Sequence, residues 1–256
     1  MKMVLWMALA LTSASLAFAG SIVAVDAYAG QNNDGSNNGD VVGQLRSFDI
    51  DFVGISNTGN NVSVVVRMNY GPDGADAGLS PISFSSFPDV NPGDLMLTNG
   101  SNHWAIPLIS HNNSNPGGGG LTMADLYLVT GFLTSSTVLN IPPSTHYRPD
   151  EYVWGDSNGA QKLNNGLGSR SVTAIGGYEL EILINFTLDT NANTLAFLNA
   201  LNDSNTLLHF AAATCGNDIV DGTPPGRDES TPEPATFALL GGGLLSLALW
   251  KCKSSM

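Results

Sequence analysis

Basic residues are scarce in this chain. Lys and Arg total 9 against 22 Asp and Glu, a net of −13 over 256 residues. A surface of that sign repels nucleic acid and anionic lipid, which excludes both as partners, and it suits solubility outside a cell and divalent cations. Catalytic signatures are missing as well. There is no G-x-S-x-G, P-loop or Rossmann fingerprint, and GGGGLT at 117–122 lacks the lysine a phosphate cradle needs. The histidines, His103, His111, His146 and His209, lack the i, i+4 spacing of a zinc helix and read as structural. Helical periodicity is equally rare. One short helix is expected, Thr194 to Leu201, with Asn193 as its N-cap.

What is abundant lies first at the two ends. MKMVLWMALALTSASLAFAG has one lysine, Lys2, an apolar run and a small-residue A-x-A site, the pattern of a secretory signal peptide over residues 1–19. Signal peptidase and the secretion machinery are then partners. At the other end Ala235 to Trp250 carries no charge. As a helix it would reach roughly 24 Å, and Lys251 and Lys253 snorkelling to the interface would make up part of a ~30 Å hydrocarbon core. A single transmembrane helix with a cytoplasmic basic tail is the expectation. Cys215 then faces the oxidising side and Cys252 the cytoplasm, so the two do not pair and the exported domain has no internal disulfide. Lys2, Lys251, Lys253 and Glu233 belong to the end segments. The middle is left with 6 basic and 21 acidic residues, a net of −15.

Pro232-Glu233-Pro234, an alanine-started apolar helix rich in Leu and Gly, and a short basic end resemble the PEP-CTERM sorting signal. The tail, Lys251-Cys252-Lys253, differs from the several arginines usual there. The resemblance implies that an exosortase embedded in the bacterial inner membrane engages the motif and processes the protein on its way to the cell surface. Flanking prolines hold Glu233 extended, as a protease at the membrane edge requires.

The middle reads as β structure. Phe48, Ile50 and Phe52 alternate with Asp49 and Asp51, and after SNTGNN, Val62, Val64, Val66 and Met68 share one face. That is a hairpin. In YELEILINFTL, Tyr178, Leu180, Ile182, Ile184, Phe186 and Leu188 share a face opposite Glu179 and Glu181. Shorter strands are expected at DLMLT, HWAIPLI, ADLYLVTGFL, EYVWG and LLHFAAATC. Many strands with turns some ten residues apart predict an all-β, antiparallel β-sandwich, jelly-roll or Ig-like, over residues 20–221. Residues 222–231 form a linker before the sorting signal at 232–256. GDVVGQLRSFDID, VNPGDLML, HWAIPLISH, LYLVTGFLTSSTVLN, YRPDEYVWG and FAAATCGNDIVDG, in that order, are similar to an ectodomain type recurrent among PEP-CTERM surface proteins. That likeness implies a secreted β domain and no particular catalytic or ligand residue.

Two sets of oxygen donors stand out. Asp26, Asp34, Asn38 and Asp40 lie in a loop that has an EF-hand-like start at Asp34 and a glycine at Gly39, but Leu45 where the bidentate glutamate belongs. The EF-hand reading fails. A looser Ca²⁺ loop and a solvated Asn/Gly turn both remain. Asn217, Asp218 and Asp221 form a second set beside the linker. Trp104 and Trp154, with Tyr147 and Tyr152, offer either a sugar-stacking platform or core. The carboxylate pairs Asp49/Asp51, Glu179/Glu181 and Asp150/Glu151 read as solvent face unless the fold brings one to a cleft. The expected function is that of a non-enzymatic surface or extracellular-matrix protein, structural or interacting with exopolysaccharide in a biofilm. It is anchored in the inner membrane before processing and needs no cofactor. The alternative is a calcium-assisted carbohydrate-binding module, with a glycoside-active enzyme behind it.

Overall fold

The computed structural model describes residues 21–26, 31–32, 41–42, 45–71, 76, 78–84, 87–114, 116–140, 148, 150–177, 179–214, 216 and 218–224. The chain divides into two units, 1–224 and 225–256. Every described residue belongs to the first, so the signal-peptide and membrane-anchor expectations lie outside the described residues. No helix among the described residues is long and apolar enough to cross a membrane.

The first unit is mostly antiparallel β structure built on two sheets. One contains β1 (Ser21–Val25), β4 (Ile50–Thr58), β5 (Asn61–Asn69), β15 (Glu179–Leu188) and β14 (Asn164–Gly176), in the order β1-β4-β5-β15-β14. The hairpin β4–β5 forms where the sequence places it, with Gly59 at φ 59° in its turn, but a bulge between Ile50 and Phe52 breaks the expected alternation: Phe52 leaves the face of Ile50 to stand beside Arg67, and Val53 and Ile55 take the core positions. β15 then pairs β5 through nine registered positions, Leu180 beside Met68 and Phe186 beside Val62. This register puts the alternate apolar residues of both strands on one face, where Leu180, Ile182, Ile184, Val62, Val64 and Val66 are all buried.

The second sheet has six strands in the order β13-β10-β9-β8-β16-β17. These are β8 (Asp94–Asn99), β9 (Asn102–Pro107), β10 (Tyr127–Val129), β13 (Gln161–Lys162), β16 (Leu207–Ala211) and β17 (Ile219–Gly222). Leu95, Leu97, Trp104, Ile106, Leu208 and Phe210 join the inner residues of the first sheet in one core. Two sheets face to face over a shared core make the sandwich that alternation predicts.

β8 breaks the alternation, because four consecutive residues, Asp94 to Leu97, are buried. Its outer face is covered by a separate pair, β11 (Phe132–Thr134) with β12 (Tyr152–Gly155), which packs on β8, β9 and β16. A smaller core of Ala105, Leu121, Tyr127 and Val129 fills that second layer, with Phe132 packed against it. The approach of β12 is close. A Cβ on Gly155 would stand 2.6 Å from the Cβ of Ala105, so only glycine fits there.

Helices are minor. α1 (Leu45–Phe48) and α2 (Ser135–Leu139) are single turns, and α1 takes Phe48 out of the strand expected to include it. α3 runs Ala192–Ala200 and places Phe197 edge-on against Trp104 at 5.7 Å. Its cap is Asn191, whose side chain accepts from the Thr194 N–H at 3.0 Å. Asn193, the expected cap, instead donates to the Gln161 side chain at 2.9 Å, because the helix begins earlier than the expectation placed it. Two short pairs complete the unit, parallel β2 (Gln31–Asn32) with β3 (Val41–Val42) and antiparallel β6 (Ile82–Phe84) with β7 (Phe87–Val90).

Candidate functional site

Three carboxylates from separate segments meet at one edge of the sandwich. Asp26 follows the last residue of β1, and its N–H donates to the Asp51 carbonyl at 3.2 Å, continuing the β1–β4 ladder. Asp49 sits between α1 and β4, and its carbonyl accepts from the Asn69 N–H at 2.7 Å at the end of β5. Asp218 precedes β17 and is fully buried. One of its carboxylate oxygens accepts from the Ile50 N–H and the other from the Ile219 N–H. Its carbonyl accepts from Ala212 at 2.9 Å. Asp218 is therefore fixed to both sheets at once.

Each of the three offers an oxygen within 4.8 Å of the others. Ionised carboxylates at that separation repel by about 3 kcal/mol per pair at an effective dielectric near 20. A divalent cation between them would reverse that term. All-oxygen donors on loop ends match what Ca²⁺ accepts, and the group has no imidazole or thiolate for zinc.

The trio mixes residues from different sequence patterns. Asp26 belongs to the Asp34, Asn38, Asp40 set, and those three lie outside the described residues. Asp218 belongs to the set beside the linker, of which Asn217 also lies outside. Asp221 goes elsewhere, to His209 Nδ1 at 2.8 Å. Asp49 alternates with Asp51 in the sequence and reads there as solvent face. No local spacing connects positions 26, 49 and 218. The ladder Asp26–Asp51 and the bond Asp218–Ile50 connect them.

The tryptophan platform is overturned. Trp104 is 0 % exposed and points into the main core, because β9 places it on the inner face opposite Leu97 of β8. Trp154 is 1 % exposed, because β12 lies over the second sheet. Its indole N–H donates to the Pro92 carbonyl at 3.1 Å, and its ring stacks on His111 at 4.1 Å between centroids. Neither can stack a sugar. Tyr152 is exposed, and Tyr147 lies outside the described residues.

Two histidines sit against carboxylates. His111 is buried, with Nε2 at 2.9 and 3.0 Å from the two oxygens of Asp94, which also accepts from the Gly155 N–H at 2.9 Å. Burial alone would lower its pKa, but the charge and hydrogen bond of Asp94 outweigh it and the net shift is upward. His209 behaves alike. Burial opposes protonation, while the hydrogen bond and charge of Asp221, with the Tyr152 carbonyl and Glu151, raise its pKa. His103 lies 3.3 Å from the Thr98 hydroxyl, and His146 is outside the described residues.

The other paired carboxylates regroup across strands. Burial first, and the Asp51 carboxyl beside it second, hold Glu179 above the ordinary range. Glu181 pairs with Arg67 at 3.0 Å instead.

The family model of the PEP-CTERM protein-sorting motif matches residues 230–253. No curated protein and no solved structure matches the chain. The matched segment contains Pro232, Glu233, Pro234, Ala235, Trp250, Lys251 and Lys253, all outside the described residues. The motif marks an exported protein sorted by an exosortase.

Proposed function

We propose that this chain is a bacterial surface or extracellular-matrix protein whose β-sandwich serves a structural or interaction role without catalysis. The observation that carries the reading is the sorting motif at residues 230–253, placed after a β-rich unit of about two hundred residues. In this reading residues 1–19 are removed by signal peptidase. Ala235 to Trp250 spans the inner membrane until an exosortase acts at Pro232-Glu233-Pro234, and the released domain joins an exopolysaccharide-rich layer. The acidic surface favours solubility there and attracts divalent cations.

Replacing Glu233 with Ala, or deleting residues 235–256, is expected to leave unprocessed or missorted protein. Protease shaving of intact cells followed by immunoblotting measures it. Full surface delivery of both variants would overturn the assignment.

A second reading is favoured by the Asp26, Asp49, Asp218 group: a calcium-assisted interaction module. Calcium binding to the folded state alone would raise stability by about 2.7 kcal/mol at a hundredfold excess over Kd. A saturable upward shift in the melting of the full chain in detergent, lost in Asp49→Asn, supports it. An unchanged melt with calcium removes calcium from the account and leaves the sorting assignment intact.

A further inference from the structure

The pair β11–β12 is an excursion from the second sheet. The chain leaves after β10 and returns at β13, and those two strands are themselves paired, Tyr127 with Lys162 and Leu128 with Gln161. The pair can therefore shift without breaking the sheet that carries it. Several bonds hold it down. The Trp154 indole donates to the Pro92 carbonyl, the Ser135 hydroxyl to the Thr214 carbonyl and the Gly155 N–H to the Asp94 carboxylate. At the rim, His209 of β16 reaches the Tyr152 carbonyl.

The His209 bond differs from the rest, because both ring nitrogens face oxygens that only accept. Nδ1 lies 2.8 Å from the Asp221 carboxylate of β17. Nε2 lies 2.9 Å from the Tyr152 carbonyl and 3.4 Å from the Glu151 carboxylate. A neutral imidazole has one N–H and one lone pair, so it satisfies one side only, whereas the imidazolium satisfies both. Its neighbour in β8 is the uncharged Met96, which leaves Asp221 and Glu151 as the charged groups facing it. The side chain is 17 % exposed, so it exchanges protons with solvent while the fold stays closed.

We infer that His209 is a pH-operated latch: as the imidazolium it ties β12 to β16 and β17, and on losing a proton it lets go of β12. The partners decide which bond is lost. The remaining proton stays on Nδ1, where the Asp221 carboxylate makes the stronger, charge-assisted bond. Nε2 then turns a lone pair towards the Tyr152 carbonyl and the Glu151 carboxylate, and attraction becomes repulsion. Burial opposes the charge on His209, but Asp221, the Tyr152 carbonyl and Glu151 outweigh it, so the release falls above 6.5. His111 cannot stand in for it, since its ring nitrogens face Asp94 and the Asn112 carbonyl and not β12. Behind the latch lies the second core. The Tyr152 ring meets Phe132 at 5.9 Å, and Phe132 packs on Ala105, Leu121, Tyr127 and Val129. The cover over that core is thus tight in acid and looser in alkali.

Hydrogen exchange of the full chain in detergent, corrected for the intrinsic rate and read by mass spectrometry on both sides of pH 6.5, tests this. β12 and Ser135, whose N–H donates to the Glu151 carbonyl, report on the cover. They are expected to exchange faster than β5 and β15 and at a rate unchanged by low urea, which marks local opening and not global unfolding. As pH rises, protection of the cover should fall roughly tenfold, the worth of one charge-assisted bond. His209→Gln keeps a donor for the carbonyl at every pH and should abolish the step. Asp221→Asn withdraws charge that favours the imidazolium and should move the step to lower pH. It leaves every residue of the cover in place, so it decides the matter even if His209→Gln fails to fold. No step in wild type, a step that survives His209→Gln, a step unmoved by Asp221→Asn, or a cover that exchanges only with the urea dependence of β5 and β15 would each overturn the proposal.

Discussion

At His111 and His209, burial and charge pull in opposite directions, and charge wins. Both folded pKa values lie above the ordinary 6.5. The sign follows by linkage. A raised folded pKa contributes stability that is fully present below about 6.5 and is lost as pH rises through the folded value. Denaturant melts at rising pH are therefore expected to show this contribution disappearing on the alkaline side of 6.5, and Asp94→Asn should remove the share that belongs to His111 while leaving that of His209. Asp94→Asn should also destabilise by about 3–5 kcal/mol at acidic pH, since it leaves a buried imidazolium without its partner. Equal pH slopes in wild type and variant would refute the assignment. The same scale explains the carboxylates. Asp49 and Asp51 look equivalent in the sequence, yet one joins Asp26 and Asp218 while the other sits beside Glu179.

Elements with a strong period were legible. β5 and β15 follow apolar alternation because one face had to be buried whatever the strand order, whereas the bulge after Ile50 shifts the phase of β4 and turns Phe52 off the core face, which no local pattern announces. β14 was not legible: Asn164 to Gly176 reads as Gly, Ser and Thr with scattered apolar residues, since an edge strand buries little and leaves little pattern. The start of α3 was misplaced because Asn191 and Asn193 are both good caps by type, and only the backbone entering the helix chooses between them. Asn191→Ala is expected to cost about 1 kcal/mol in urea unfolding. Asn193→Ala, losing one exposed side-chain bond, should stay within about 0.5 kcal/mol of wild type. Trp154 was ambiguous for a different reason. EYVWG looks the same as an edge strand or as a lid, and here β11 and β12 lie over the second sheet. Trp154→Ala should destabilise by about 3–5 kcal/mol, through lost packing and the lost bond to Pro92. A near-neutral result would mean that β12 does not seal the second core.

For the whole molecule, the calcium and sorting readings make separable claims. Calcium would tie β1, the start of β4 and the approach to β17, so it should raise the melting temperature without changing mass. Glu233 should affect neither. The sorting motif, the acidity and the β class were legible along the chain, because a short motif, net charge and two-residue alternation are written in consecutive residues. Which carboxylates meet and which tryptophans are buried emerged only once the chain was folded. Those depend on contacts between positions as distant as 26 and 218 or 104 and 197, and no spacing along the chain records which strand lies beside which.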